Sequence, residues 1–180
     1  MPQHKIVVLA LGNLIRSDDG VGLFALRELE KNPGLPDSVT LVEGGTKGLE
    51  LLPYLWDAAR LLVLDAVDME AAPGTVFRID GPDLRTLPGT GSVHELALAD
   101  ILNALRILGK EPQEAVLLGV QPSTTALGTG LSPAVQQALP ALLEAVSIEF
   151  SRRASGDEFS VPAPDCASAA SEEILLSKAD

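Results

Sequence analysis

Apolar runs alternate with stretches of helical period along roughly the first 150 residues. Ile6–Leu11 is a continuous apolar run of strand length. Val21, Phe24, Ala25 and Leu29 then recur at helical spacing. Val39–Val42 predicts a second strand, ending at Glu43-Gly44-Gly45-Thr46. A short helix is expected across Leu49–Leu55, disturbed by Pro53. Leu61–Leu64 predicts a third strand that ends at Asp65. Thr75–Ile79 alternates in the manner of a half-exposed strand, antiparallel and near an edge. Leu98, Ile101, Leu102, Leu105 and Leu108 mark a helix closed by Gly109. Ala115–Val120 is a last buried strand. Ser132 then reads as an N-cap, with Pro133 at the first helical position. Leu139, Leu142, Leu143, Val146 and Phe150 give that helix one apolar face, which Pro140 should kink or divide. The alternation predicts an α/β fold, a single domain over residues 1–150 with a mostly parallel sheet of about five strands and helices on both faces. From Ser151 the pattern fails. Residues 151–180, rich in Ser and Ala with Pro162 and Pro164, are expected to form a disordered tail.

Composition agrees with one domain. The chain has 180 residues, 46% of them apolar and 21% charged, and aromatics supply only 3%, so the core must be aliphatic. The net charge of −12 opposes binding to nucleic acid or to an anionic membrane. The only basic cluster is Arg152-Arg153. One cysteine, Cys166, can form neither an intramolecular disulfide nor a thiolate zinc site. No apolar run approaches the roughly 20 residues that span a bilayer, and the N-terminal run does not have the form of a signal peptide. A cytoplasmic monomer is expected.

The segment Gly12–Gly22 follows the first strand and opens the first helix, where many α/β proteins cradle phosphate on backbone N–H groups. Here it carries Asp18 and Asp19, and carboxylates attract cations instead. In open α/β sheets, ligands bind outside the carboxyl ends of the strands. The second strand ends at Glu43 and the third at Asp65, so parallel strands would array these acids along one edge. For Asp18 and Asp19, the alternative to function is stabilisation of a helix start. For Glu43 the alternative is an ordinary turn acid. Asp65 follows four aliphatic residues, and a charge there needs a partner or a cation. Of the two histidines, His4 belongs to the N-terminal fray. His94 stands in Ser92-Val93-His94-Glu95, where Ser92 and Glu95 can form a capping box. Beside an acidic edge, that imidazole also becomes a candidate ligand. Two carboxylates and one imidazole suit nickel, zinc, cobalt or manganese, and leave positions open for water or substrate. Neither H-E-x-x-H, G-x-S-x-G nor a dinucleotide fingerprint is present. Gln121, after the last strand, can bond a ligand or merely end the strand.

These motifs resemble, in order, those of the hydrogenase maturation endopeptidases, which trim the C-terminus of nickel–iron hydrogenase large-subunit precursors. The resemblance runs through Gly12-Asn13, Ser17–Gly22, Glu43-Gly44-Gly45-Thr46, Glu50-Leu51-Leu52, Asp65-Ala66-Val67, Pro73-Gly74-Thr75, Ser92–Glu95, Gly119–Pro122 and Gly130–Pro133. It covers almost all of residues 5–150. It implies a twisted five-stranded sheet flanked by helices, and a nickel-recognising set of Asp19, Asp65 and His94. The family often has Glu at the position of Asp19 and usually Asp at that of Glu43, a residue implicated in cleavage. Glu43 is therefore the acid–base candidate, and Asp18 keeps the role of a helix-start acid.

The resemblance implies an endopeptidase whose nickel arrives with the precursor, already held by that partner's own ligands. Two other readings remain, the first on the same residues and the second on the acid pair and Asp65 alone. One is a nickel-binding maturation chaperone without protease activity. The other is a receiver-like phosphoacceptor module, which would need a lysine where Gln121-Pro122 stands.

Overall fold

The strand built around Leu61–Leu64 is longer than its apolar run. As β3 (Arg60–Ala66) it is buried along all seven residues, including Arg60 and Asp65 at its two ends. The computed structural model describes residues 5–84 and 93–152, with side chains of 82, 83 and 93–97 left out. The readings of His4, the Ser92 cap and the 151–180 tail beyond Arg152 lie outside the described residues.

β3 is the centre of a sheet with β1 (Ile6–Leu11), β2 (Val39–Gly45), β4 (Val76–Asp80) and β5 (Glu114–Val120). The strand order is β2-β1-β3-β5-β4. β1 runs parallel to both β2 and β3, and β3 runs parallel to β5. β4 lies antiparallel on β5 at the edge, as the alternation of Thr75–Ile79 predicts. Its half-buried pattern reflects a strand with a neighbour on one side only.

Alternate side chains of each strand point to opposite faces, and each face carries its own aliphatic cluster. On one face Val8, Ala10, Leu62, Leu64, Val116 and Leu118 pack with α1 (Val21–Glu30) and α5 (Pro133–Ser151). On the other, Leu9, Leu11, Leu61, Val63 and Leu117 meet α2 (Leu52–Leu55), α3 (Gly81–Leu84) and α4 (Val93–Ile107). Full burial of each Leu or Val contributes about 1.5–3 kcal/mol, so the aliphatic layers compensate for the scarcity of aromatics.

Neither proline divides its helix. Pro53 does not disturb a helix over Leu49–Leu55. A 3-10 turn at Leu49–Leu51 leads into α2, and Pro53 sits in the first turn of α2, where its missing N–H costs nothing. Nor is the last helix divided: α5 runs through Pro140 as one element. Pro140 and Gln136 (the residue whose carbonyl loses its partner) are both exposed, so water can satisfy that group. Ser132 and Pro133 do open α5 as expected. α4 ends in a Schellman turn, with Gly109 at φ 67° and Lys110 N–H donating to the Leu105 carbonyl at 2.8 Å.

At the amino end of the sheet a charged network fastens α5 to β3 and β4. The Arg60 guanidinium donates to Glu114 at 2.6 Å, to the Glu149 carboxylate at 3.0 Å and to the Glu149 carbonyl at 2.8 Å. Arg78 donates to the other Glu149 oxygen at 2.8 Å and to both Asp80 oxygens at 2.7 Å. Burial alone would push the Glu149 carboxyl up. The hydrogen bonds and charges of Arg78 and Arg152 outweigh it and hold the group below its ordinary 4.5. A carboxyl whose folded pKa is depressed stabilises the fold fully above its unfolded pKa and loses that contribution as pH falls through the folded value. Stability should therefore decline as pH drops below about 4.5, and Glu149→Ala should remove that part of the decline. The same substitution leaves Arg60 and Arg78 short of a buried partner and should cost about 3 kcal/mol near neutrality. Urea unfolding across that pH range measures both effects.

Candidate active site

The carboxyl edge of the sheet is assembled by close backbone approach. At Gly22 an added Cβ would collide with the carbonyl oxygens of Leu64 and Leu11, so only glycine lets the start of α1 settle onto the ends of β3 and β1. Gly12, at φ 120°, closes the turn beneath it, and a Cβ there would strike the Asp19 carbonyl. The intervening Ser17–Gly20 forms a 3-10 turn that contacts β3. Asp19, 7% exposed, is thereby held at the strand ends. Its backbone N–H donates to Arg16 O at 3.1 Å, and its carbonyl accepts from Asn13 N at 3.3 Å.

Asp65, 2% exposed, lies one residue inside the end of β3, opposite Gly119 of β5. Its neighbours two residues away, Val63 and Val67, belong to the cluster under α4, so pleating turns Asp65 to that face. One of its oxygens accepts from Ala66 N at 2.8 Å. α4 delivers its C-terminus to the start of β5, which puts its N-terminus, with His94 in the first turn, at the carboxyl edge. The His94 side chain lies outside the described residues. Asp19, Asp65 and the backbone of His94 are thus gathered on one edge. Among the described residues no group of three acid, His or Cys side chains converges on a metal-sized site, and the only imidazole in the proposed ligand set falls outside those residues.

Glu43 is placed differently. It is exposed on β2, in register with Ala10. Val39 and Leu41, at alternate positions before it, pack toward α1 and α5, so Glu43 faces that side and Asp65 the opposite one. β2 also continues past Glu43 through a register shift to Gly45.

Asp18 does more than start a helix. It stands in the first turn of the 3-10 segment, but it is fully buried and its carboxylate bonds to a distant loop. One oxygen accepts from Ser123 N at 2.9 Å and Thr124 N at 3.1 Å, and the other from Ser132 N at 2.6 Å. It fastens the β1–α1 turn to the loop between β5 and α5. Gln121 works similarly on the other side. Its Oε1 accepts from Met69 N and Ala71 N, and its Nε2 donates to Asp68, so both ends of the amide are used within the protein. The bond from Gln121, followed by the Glu70 N–H, holds the Asp68 carboxyl below its ordinary value. With Gln121 spent on the β3–β4 loop and β4 antiparallel at the edge, the receiver-like reading loses its footing. Receiver-type sheets are all parallel in the order 2-1-3-4-5. Neither anchoring role was readable locally, because the partners of Asp18 lie more than a hundred residues away.

Fold and site together define an α/β protein with buried acids gathered at the ends of its parallel strands. Comparison with known proteins narrows that class. The family model HycI, hydrogenase maturation protease, matches residues 25–149. That span contains Glu43, Asp65 and His94 and begins after Asp19. The hydrogenase 2 maturation protease of Escherichia coli is 36% identical over 144 residues, covering 79% of this chain and 88% of that one. The hydrogenase expression/formation protein HupD of Bradyrhizobium diazoefficiens is 36% identical over 121 residues, and the match spans 66% of this chain but only 63% of that protein. The solved structure of the hydrogenase maturating endopeptidase HybD from E. coli superposes with a TM-score of 0.77 at 34% identity, over 82% of this chain and 93% of that one. The chain belongs to the hydrogenase maturation protease family.

Removing the Asp18 carboxylate strands three backbone N–H groups, two of them on one oxygen. Asp18→Ala should destabilise the fold by about 3 kcal/mol or more, since each unsatisfied buried donor costs about 1–3 kcal/mol. Denaturant unfolding checks this, and hydrogen exchange should show the amides of Ser123, Thr124 and Ser132 losing protection.

Proposed function

We propose that this chain is an endopeptidase that removes the C-terminal peptide from the large-subunit precursor of a nickel–iron hydrogenase. The nickel is part of the substrate, seated in the precursor before the two proteins meet. The observation that supports this most is the gathering of Asp19, Asp65 and the helix start bearing His94 on one sheet edge, in a chain of the hydrogenase maturation protease family. Two carboxylates and an imidazole form a donor set suited to a borderline divalent ion whose remaining positions are filled by another protein. Capturing the precursor through that ion would fix the scissile bond in register with the protease, and positioning of this kind can supply much of a rate enhancement. Asp19 and Asp65 bind and orient. Glu43, exposed on the edge strand and on the face opposite to Asp65, stands apart from these two and is the acid–base candidate through the family resemblance alone. The reading further takes the enzyme to work in the cytoplasm as a monomer, where its one cysteine needs no disulfide partner.

Asp19→Asn, Asp65→Asn and His94→Ala should each slow trimming of nickel-loaded precursor by about 100-fold, with melting temperatures near that of the parent. Precursor lacking nickel should remain uncut. Mass spectrometry of the precursor reads both outcomes. Normal trimming by all three variants removes the site assignment, and equal trimming of nickel-free precursor removes the role of nickel. Binding of loaded precursor without any cleavage would instead identify a maturation chaperone.

A further inference from the structure

We propose that Ile15 and Leu127 form an apolar lip that docks an uncharged, apolar segment of the precursor polypeptide beside the acid edge. The proposal rests on the reading that the substrate is a protein. Leu127 is 82% exposed and Ile15 60% exposed. Single apolar side chains on a surface need no explanation. These two differ because separate loops are stitched together to present them. Arg16 and Gly128 form a parallel bridge. Gly128 N–H donates to the Ile15 carbonyl at 3.1 Å, and Ser17 N–H donates to the Gly128 carbonyl at 3.0 Å. The Ser17 hydroxyl donates to the Ala126 carbonyl at 3.1 Å. Ser17 holds φ 50°, a left-handed conformation unusual for a residue with a side chain, and its two bonds to the opposite loop keep it there. The next residue is Asp18, whose carboxylate anchors both ends of the same loop.

Charge identifies the occupant. The chain carries a net −12, yet residues 121–132 contain no charged residue, and residues 13–17 contain only Arg16. The 121–132 loop offers a charged segment no counter-charge and Arg16 offers an acidic one a single partner, whereas an apolar segment would cover exposed aliphatic surface. The lip is also continuous with the site. Ile15 lies four residues before Asp19 on the same turn, so the lip belongs to the segment that carries the first acid.

The test uses the full chain with Ile15→Asp, Leu127→Asp and, as a control, Ile107→Asp. Ile107 is 85% exposed at the far end of α4. Trimming kinetics and precursor binding are measured on the same samples. Each lip variant should raise KM and Kd at least tenfold with kcat within twofold, and Ile107→Asp should match the parent. Unchanged KM and Kd in both lip variants overturn the proposal. A self-associating parent that the lip substitutions convert to monomer, seen by sedimentation, would assign the lip to a second copy and overturn it. Increased hydrogen exchange in residues 153–180 of the lip variants would assign it to the chain's own tail and overturn it equally. If the parent binds precursor but does not cut it, the endopeptidase reading fails, while the tenfold loss of binding still supports the lip.

Discussion

The Asp18 carboxylate holds the functional end of this protein together. A charge with no exposed surface is costly unless hydrogen bonds replace its water, and three backbone N–H groups do so here. All three come from the loop between β5 and α5, at its two ends. One side chain therefore closes a long loop onto the β1–α1 turn, and the same contact fixes where α5 begins, since Ser132 is both its partner and the N-cap. Asp19, next in sequence, inherits that rigidity. Its place at the strand ends follows from Gly12 and Gly22 beneath it and from Asp18 beside it.

Gln121 extends the same logic across the sheet. Its amide gathers the backbone of Met69 and Ala71, and its own N–H and carbonyl bond to Thr75 and Gly74. The loop that follows Asp65 is thus tied to the end of β5, as the turn that precedes Asp19 is tied to the loop beyond it. Ligand-binding residues are commonly carried on loops positioned by a rigid scaffold. Here two buried polar side chains make the loops part of the scaffold, and that limits how far Asp19 or Asp65 can drift.

The difference between what the sequence disclosed and what it concealed follows from range. β1, the edge character of β4 and the oddity of Asp65 were legible, because period, alternation and a charge after four aliphatics are local signals. Asp18 and Asp19 were not separable on local grounds, because both sit in one 3-10 turn and only the distant loop distinguishes them. Glu149 was hidden in another way. It occupies the inward stripe of α5, three residues after Val146, where its partners Arg60 and Arg78 come from two other strands. That Pro140 leaves α5 undivided depends on water reaching the orphaned carbonyl, a property of exposure that no motif encodes.

The two ends of the sheet use buried charge for opposite purposes. At the amino end, arginines and acids neutralise one another, and Glu149 meets Arg60, Arg78 and Arg152. Such a network fastens a helix and has little reason to attract a further ion. At the carboxyl end, Asp18, Asp19 and Asp65 are all buried. Asp18 is satisfied by neutral backbone donors, which stabilise a carboxylate without cancelling its charge. The three acids thus share one edge without an arginine on Asp18, and on the proposed function that is the edge at which the precursor presents its cation. Satisfying the anchoring acid with backbone rather than with arginine makes that edge rigid while leaving it acidic, which is what the proposed capture of a metal-loaded precursor requires.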